Sequence, residues 1–180
     1  METASKAVSE LFDNMSQFTE LSKETQAELV EVTAQLEAVG ISSDVTAQNF
    51  EIMTKSMGMT TDQAIDAQMQ FVGLAKELGV SATRLGKEFA ANQSTFAKYG
   101  KAAIKTFKQV AAAAKATGIE MSALLGITSQ FDTFEGAATQ AGQLNAALGG
   151  NFVNAMELMD ETDPAKRFEM IRNAIDASGK

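Results

Sequence analysis

Apolar residues in the first 39 positions recur at alternating spacings of three and four: Val8, Leu11, Met15, Phe18, then Ser22 and Thr25, then Leu29, Val32, Leu36 and Val39. Polar and acidic residues fill most of the intervening positions. This pattern predicts one long amphipathic helix with a coiled-coil-like seam over residues 1–39. Ser22 and Thr25 interrupt the seam, either as a helix cap in Ser22-Lys-Glu-Thr25 or as a polar layer in a continuous helix.

Beyond this segment the pattern is punctuated. Glycine stands at 40, 58, 79, 100 and 118, at intervals of 18, 21, 21 and 18 residues. At four of the five an apolar residue and then a polar one follow: Gly40-Ile41-Ser42, Gly58-Met59-Thr60, Gly79-Val80-Ser81 and Gly118-Ile119-Glu120. Such a tripeptide can stop one helix and start another. Glycine accepts the left-handed conformation that closes a helix, the apolar residue packs back on the last turn, and Ser or Thr caps the next helix. Thr60-Thr-Asp-Gln63 reads as a capping box. Gly100 lacks both followers, so a helix running through it is compatible with the pattern.

Between the glycines the period is helical. Phe50, Met53 and Met57 form one face; Ile65, Met69 and Val72 with Phe71, Leu74 and Leu78 form a wide apolar surface. Leu85, Phe89, Phe96 and Tyr99 follow, then Ile104, Phe107, Val110, Ala111 and Ala114, then Met121, Leu124, Leu125, Thr128 and Phe131. After Gly136 the texture loosens, with Gly142, Gly149 and Gly150 among small residues and short apolar runs at Phe152, Val153, Met156 and Met159. Asp163-Pro164 places Asp at an N-cap and Pro at the first helical position, ahead of Phe168, Ile171 and Ile175. The expected fold is all-α: antiparallel helical hairpins stacked as a bundle or short solenoid behind a long N-terminal amphipathic helix. Three segments are expected: the long helix 1–39, the hairpin array 40–135, and a looser helical segment 136–180 that ends like a truncated chain.

Composition narrows the chemistry. With no Cys and no His, the chain has no thiolate, no imidazole base and no disulfide, and no carboxylate stands in an apolar setting that would raise its pKa. No catalytic residue, cofactor or metal is expected. Asp160-Glu-Thr-Asp163 starts like a calcium loop, but Pro164 falls where a ligand should follow and no closing Glu comes at the right distance. Gly149-Gly150 lacks the preceding strand and the Lys of a phosphate-binding loop. Asn14-Met-Ser and Asn92-Gln-Ser match the glycosylation sequon without any other sign of secretion. No run reaches the roughly 18 uninterrupted apolar residues of a membrane span.

Charge changes the picture in one respect. The net charge of −8 is arranged in blocks: −9 over residues 1–66, +6 over 67–118 and −5 over 119–180. Such an order suits a middle segment that meets an acidic one, in the same chain, a sister copy or a partner. Lys98, Lys101, Lys105, Lys108 and Lys115 carry no Arg cluster or aromatic platform, so sequence-specific nucleic-acid binding is not expected of them.

The joints in Ala38-Val-Gly-Ile-Ser42, Lys76-Glu-Leu-Gly-Val-Ser-Ala-Thr-Arg-Leu85 and Lys115-Ala-Thr-Gly-Ile-Glu-Met-Ser-Ala-Leu124 resemble those of the tail tape-measure proteins of tailed bacteriophages. So do Phe131-Asp-Thr-Phe-Glu-Gly-Ala-Ala through Leu148-Gly-Gly-Asn-Phe152, and Asp163-Pro-Ala-Lys-Arg-Phe168. The resemblance spans roughly residues 30 to 178. It implies a structural, non-catalytic role in tail-length determination and tail assembly, in chains assembled in the host cytoplasm and carried in the virion. The implied partners are the tail tube protein, other copies of the chain and a tail assembly chaperone. A fully helical stretch of this length spans only about 270 Å at ~1.5 Å per residue, so the resemblance implies a fragment of a ruler. Two other readings fit the residues: a secreted helical-hairpin effector, for which Phe134-Glu-Gly136 echoes a hairpin turn, and a regulatory bundle dimerising through residues 1–39.

Overall fold

The computed structural model describes residues 2–179, and all regular structure among them is helical. The helices are α1 (Glu2–Asn14), α2 (Lys23–Ala38), α3 (Ser43–Glu51), α4 (Thr61–Leu78), α5 (Ala82–Ala91), α6 (Gln93–Ala97), α7 (Ala103–Thr117), α8 (Met121–Ser129), α9 (Phe134–Leu148), α10 (Ala155–Asp160) and α11 (Pro164–Ala177). The all-α class expected from the sequence is what the chain adopts. The chain divides into two compact units. They comprise residues 1–108 and 109–180, the division falling inside α7.

The single long helix expected over 1–39 is corrected to two helices. The break comes at the polar interruption of the seam, where Phe18–Glu20 form a 3-10 turn and Ser22 becomes the N-cap of α2, its hydroxyl accepting from the Thr25 amide at 3.2 Å. Gln26 holds the turn closed, its side-chain amide donating to the Phe18 and Leu21 carbonyls at 2.9 and 3.1 Å. Folding back buries Leu11, Met15, Phe18, Leu29 and Leu36, while Val8 and Val39 at the outer ends remain exposed. Dimerisation through one uninterrupted seam over 1–39 thereby loses its geometric basis.

Helix α3 is the centre of the first unit, packing against α1, α2, α4 and α5. It is only nine residues long, yet Ser43, Val45, Thr46, Ala47, Asn49 and Phe50 are all buried. The closest approach is to α5, at Gly86. A Cβ built there would lie 2.5 Å from Val45 Cγ1 and 3.0 Å from Asn49 Nδ2, so the α5 backbone packs against these two α3 side chains only because residue 86 has none of its own.

Four phenylalanines from α4 to α7 form the other half of this core. Phe71, Phe89 and Phe107 pack with centroids 4.9 to 5.2 Å apart, and Phe96 stacks on Phe89 at 5.8 Å and meets Phe107 edge-on at 5.3 Å. These are the offset and edge-to-face arrangements that aromatic quadrupoles favour. The wide surface expected on α4 is half used. Ala64, Ala67, Phe71, Leu74 and Ala75 are buried, whereas Met69 is 50% exposed.

The second unit has its own core of Phe131, Ala137, Ala141, Leu148, Val153, Leu158, Ile171 and Ala174, with α9 packed on α10 and α8 on α11. Alanines on α9 let α10 sit close. Phe152 and Met156, expected to begin an apolar face, are 40% and 48% exposed, and Val153 and Leu158 are buried in their place.

Gly86 and Gly73 provide opposite expectations for one chemical change. Gly73 lies inside α4 with open space around a new Cβ, so Gly73→Ala should stabilise the protein by about 0.5–1 kcal/mol through helix propensity. Gly86→Ala should destabilise it by about 1–3 kcal/mol despite the same propensity gain, because α3 must move away. Urea unfolding of the two variants measures both, and equal shifts would refute the close approach of α3 and α5.

Candidate functional site: the helix joints

The feature singled out in the sequence is a set of joints, and each can be located. Gly40, Gly58, Gly79, Gly100, Gly118, Gly149 and Gly179 all have positive φ, between 51° and 99°. Gly40, Gly58, Gly79 and Gly118 therefore lie between helices, and none is inside one. Gly100 also breaks the chain, opening a 3-10 turn before α7. Its joint was not legible from the apolar and capping residues, because it has neither.

The joint after α2 shows how the device works. The Ile41 amide donates to the Leu36 carbonyl at 2.9 Å and the Gly40 amide to the Glu37 carbonyl at 3.2 Å, the paired closure of a Schellman motif. Ile41 is fully buried, so the residue after the glycine packs against the helix it ends. Gly79 repeats the pattern after α4, with Val80 donating to Ala75 at 3.0 Å and Gly79 to Lys76 at 3.3 Å. At the Gly58 joint α3 first widens into a π-helical turn, Ile52–Ser56, and the Met59 amide reaches back to the Met53 carbonyl at 3.0 Å. Met59 is buried there.

Caps follow the stops. Thr60 and Gln63 form the reciprocal capping box, with bonds of 3.3 and 3.1 Å. Ser81 accepts from the Arg84 amide at 3.4 Å. Asp163 accepts from the Ala165 and Lys166 amides at 2.9 and 3.3 Å, with Pro164 buried at the first helical position. The expected cap at Ser42 differs, and the Gly118 joint has none. Ser42 occupies the N-cap position of α3 in an extended conformation, but its side chain makes no cap bond, and Glu120 ahead of α8 makes none either. Ser42 instead hydrogen-bonds the Asp44 carboxylate, which lowers that group's pKa. At Gly118 the chain turns by 109° between α7 and α8, and the Ile119 amide donates to Thr117 Oγ1 at 3.4 Å. Among the described residues no single helix is long and apolar enough to cross a membrane.

The first and third joints are stitched together. Thr83, in the first turn of α5, donates its hydroxyl to the Gly40 carbonyl at 2.9 Å and accepts the Ser42 amide at 2.9 Å. One side chain thereby satisfies a backbone donor and an acceptor that the turn leaves open. The same joint carries charge. Lys6 on α1 pairs with Glu37 on α2, and Ser43 donates to the other Glu37 oxygen at 2.7 Å. The Lys6 bond first and the Ser43 bond second hold the Glu37 carboxyl below the usual carboxylate range.

The second unit is fastened by two polar residues that sequence patterning did not single out. Arg167 is buried at 4% exposure. Its guanidinium donates to the Thr128 carbonyl at 2.6 Å, to Asp132 at 2.7 Å and to the Glu161 carbonyl at 2.8 Å, tying the end of α8 to the turn before α11. Asn145 accepts the Phe152 and Val153 amides at 2.9 and 2.8 Å and donates to the Val153 carbonyl at 2.8 Å, folding the loop after Gly149-Gly150 onto α9. Arg167 lies four residues before Ile171, on the apolar face of α11, and that position was its only signal.

No protein-family model, curated protein or solved structure matches the chain. What the fold and joints define is a class, an all-α protein of short helices closed by left-handed glycines.

Placing a Cβ on a left-handed residue costs about 1–2 kcal/mol, so Gly79→Ala should lower stability by that amount in urea or thermal unfolding, although open space surrounds the position. A second expectation concerns pH. Because the folded-state pKa values of Glu37 and Asp44 lie below their unfolded values, the stability they contribute is complete above the ordinary carboxylate range. It is lost as pH falls through the depressed folded values. Glu37→Gln should therefore flatten the acid limb of the stability profile, and an unchanged limb would show that this joint carries no such linkage.

Proposed function

We propose that this chain is a structural segment of a tail tape-measure protein, acting in tail-length determination and tail assembly inside the tail tube of a tailed bacteriophage. The observation that carries the reading is the repeated joint: glycine at intervals of 18 to 21 residues, followed at four of the five positions by an apolar and then a polar residue, which is Ser or Thr at three. It occurs in a chain with no Cys or His and with side chains spent on capping and packing, which supports an architectural rather than a catalytic role. The partners that follow are the tail tube protein, further copies of the chain and a tail assembly chaperone, and the place of action is the virion after assembly in the host cytoplasm. The joints also suit the assembly problem. Each left-handed glycine is a point where a compact helical hairpin can open into a more extended chain without breaking the helices on either side.

The test is tail length. An in-frame deletion of the coding segment from the parent phage gene should shorten tails in electron micrographs, by up to about 270 Å if the segment is fully extended as helix at ~1.5 Å per residue and by less if it stays folded. A duplication should lengthen them. Tails of unchanged length, or a native gene product that ends at Lys180, would overturn the reading.

A further inference from the structure

We propose that the groove between α1 and α2 is the docking site for the basic face of α7 from a second copy of the chain, joining copies head to tail. This rests on the reading of the chain as a segment that assembles with its own copies, and assigns that assembly a surface.

The groove has a volume of about 800 Å³ and a floor of small apolar side chains, Ala4 and Val8 from α1 with Ala27, Val30, Ala34 and Ala38 from α2. Its continuation along α1 is exposed: Val8 at 44% and, one turn on, Phe12 at 62%. An apolar channel between two antiparallel helices is shaped for a third helix. The charge beside it states which kind. Glu24, Glu28 and Glu31 are exposed and stand at spacings of four and three along α2, forming an acidic row next to the alanine row. A second acidic hairpin is therefore a poor occupant and a basic helix a good one.

The chain carries such a helix. Lys101, in the 3-10 turn that leads into α7, and Lys105 and Lys108 on α7 stand at the same spacings of four and three, and Ala112 and Lys115 continue the row along the helix. Lys105, Ala112, Lys115 and Ala116 are exposed, opposite the buried Ile104, Phe107, Val110 and Ala111. Lys108 makes only a 3.5 Å contact with Gln70. Among the described residues none of Lys101, Lys105 and Lys115 forms an ion pair. Within residues 1–108, then, the basic row and the acidic row do not satisfy each other. Because their spacings run in the same chain direction, they register when the helices lie parallel. Glu24 then meets Lys101, Glu28 meets Lys105, Glu31 meets Lys108 and Gln35 faces Ala112. Each copy presents both surfaces, so the contact is heterologous and propagates into a row of copies.

The experiment uses the full chain. Sedimentation velocity at low ionic strength should show oligomers growing with concentration, with association weakened on the order of tenfold at high salt because the charged rows are screened. E28K/E31K and K105E/K108E should each be monomeric with unchanged helicity by circular dichroism, and mixing the two should restore association. The register is tested separately, since the chain has no cysteine of its own. Under mild oxidation Q35C mixed with A112C should give mixed disulfide dimers in excess of either homodimer. A monomer under all conditions, association indifferent to both charge reversals, or random disulfide pairing would overturn the docking. The tape-measure reading would still be decided by tail length.

Discussion

The central constraint on the first unit is that α3, a helix of nine residues, is buried on nearly every side. A helix in that position cannot fray into solvent or trail into a long loop, since its terminal carbonyls and amides must be satisfied within a residue or two. That requirement explains why the chain stops at Gly40, why Ile41 is fully buried, and why Thr83 reaches across from α5 to bond both Gly40 and Ser42. It also explains Gly86, where a side chain would push α5 off α3. Burial on this scale has a polar cost: Asn49 and Thr46 have buried side-chain atoms without a hydrogen-bond partner within the protein, each worth about 1–3 kcal/mol against folding. The phenylalanine cluster of α4 to α7 is the apolar counterweight in the same unit.

The second unit solves its closure differently. Like the first, it has a left-handed glycine stop, at Gly149, but it adds two buried or half-buried side chains that bind several groups each. Arg167 binds three carbonyls and a carboxylate, and Asn145 binds both polar groups of Val153. A buried arginine of this kind specifies one arrangement of the turns around it, because leaving those donors unsatisfied would be expensive. Both units thus use side chains and glycine stops to satisfy groups that short helices leave open, with different residues in each.

The joints recur along the whole chain, each closed by a glycine of positive φ. Polar side chains are spread along the chain, many of them at the helix ends. The surfaces left over are an acidic apolar groove on α1 and α2 and a basic row on α7. That distribution agrees with an architectural segment, the role proposed for the chain.

Much of this was legible in the sequence. The helical period, the stops at Gly40, Gly58, Gly79 and Gly118, the capping box at Thr60 and Gln63 and the start at Asp163-Pro164 are local effects, set by residues within one or two turns of each other. Tertiary structure decided what locality could not. Residues 1–39 fold back on themselves because Leu11, Met15, Leu29 and Leu36 are buried more fully in a hairpin against α3 than along one continuous seam, and the period alone is the same in both. Gly100 closes a helix without the local signature of a joint. Gly86, Thr83, Asn145 and Arg167 take their roles from partners distant in sequence or from an irregular loop, and hydrophobic periodicity carries no information about such contacts. The sequence by itself determined the helix ends that carry a local stop or cap; packing decided the break within 1–39 and which faces meet, because burial is a property of the whole chain and not of any segment in it.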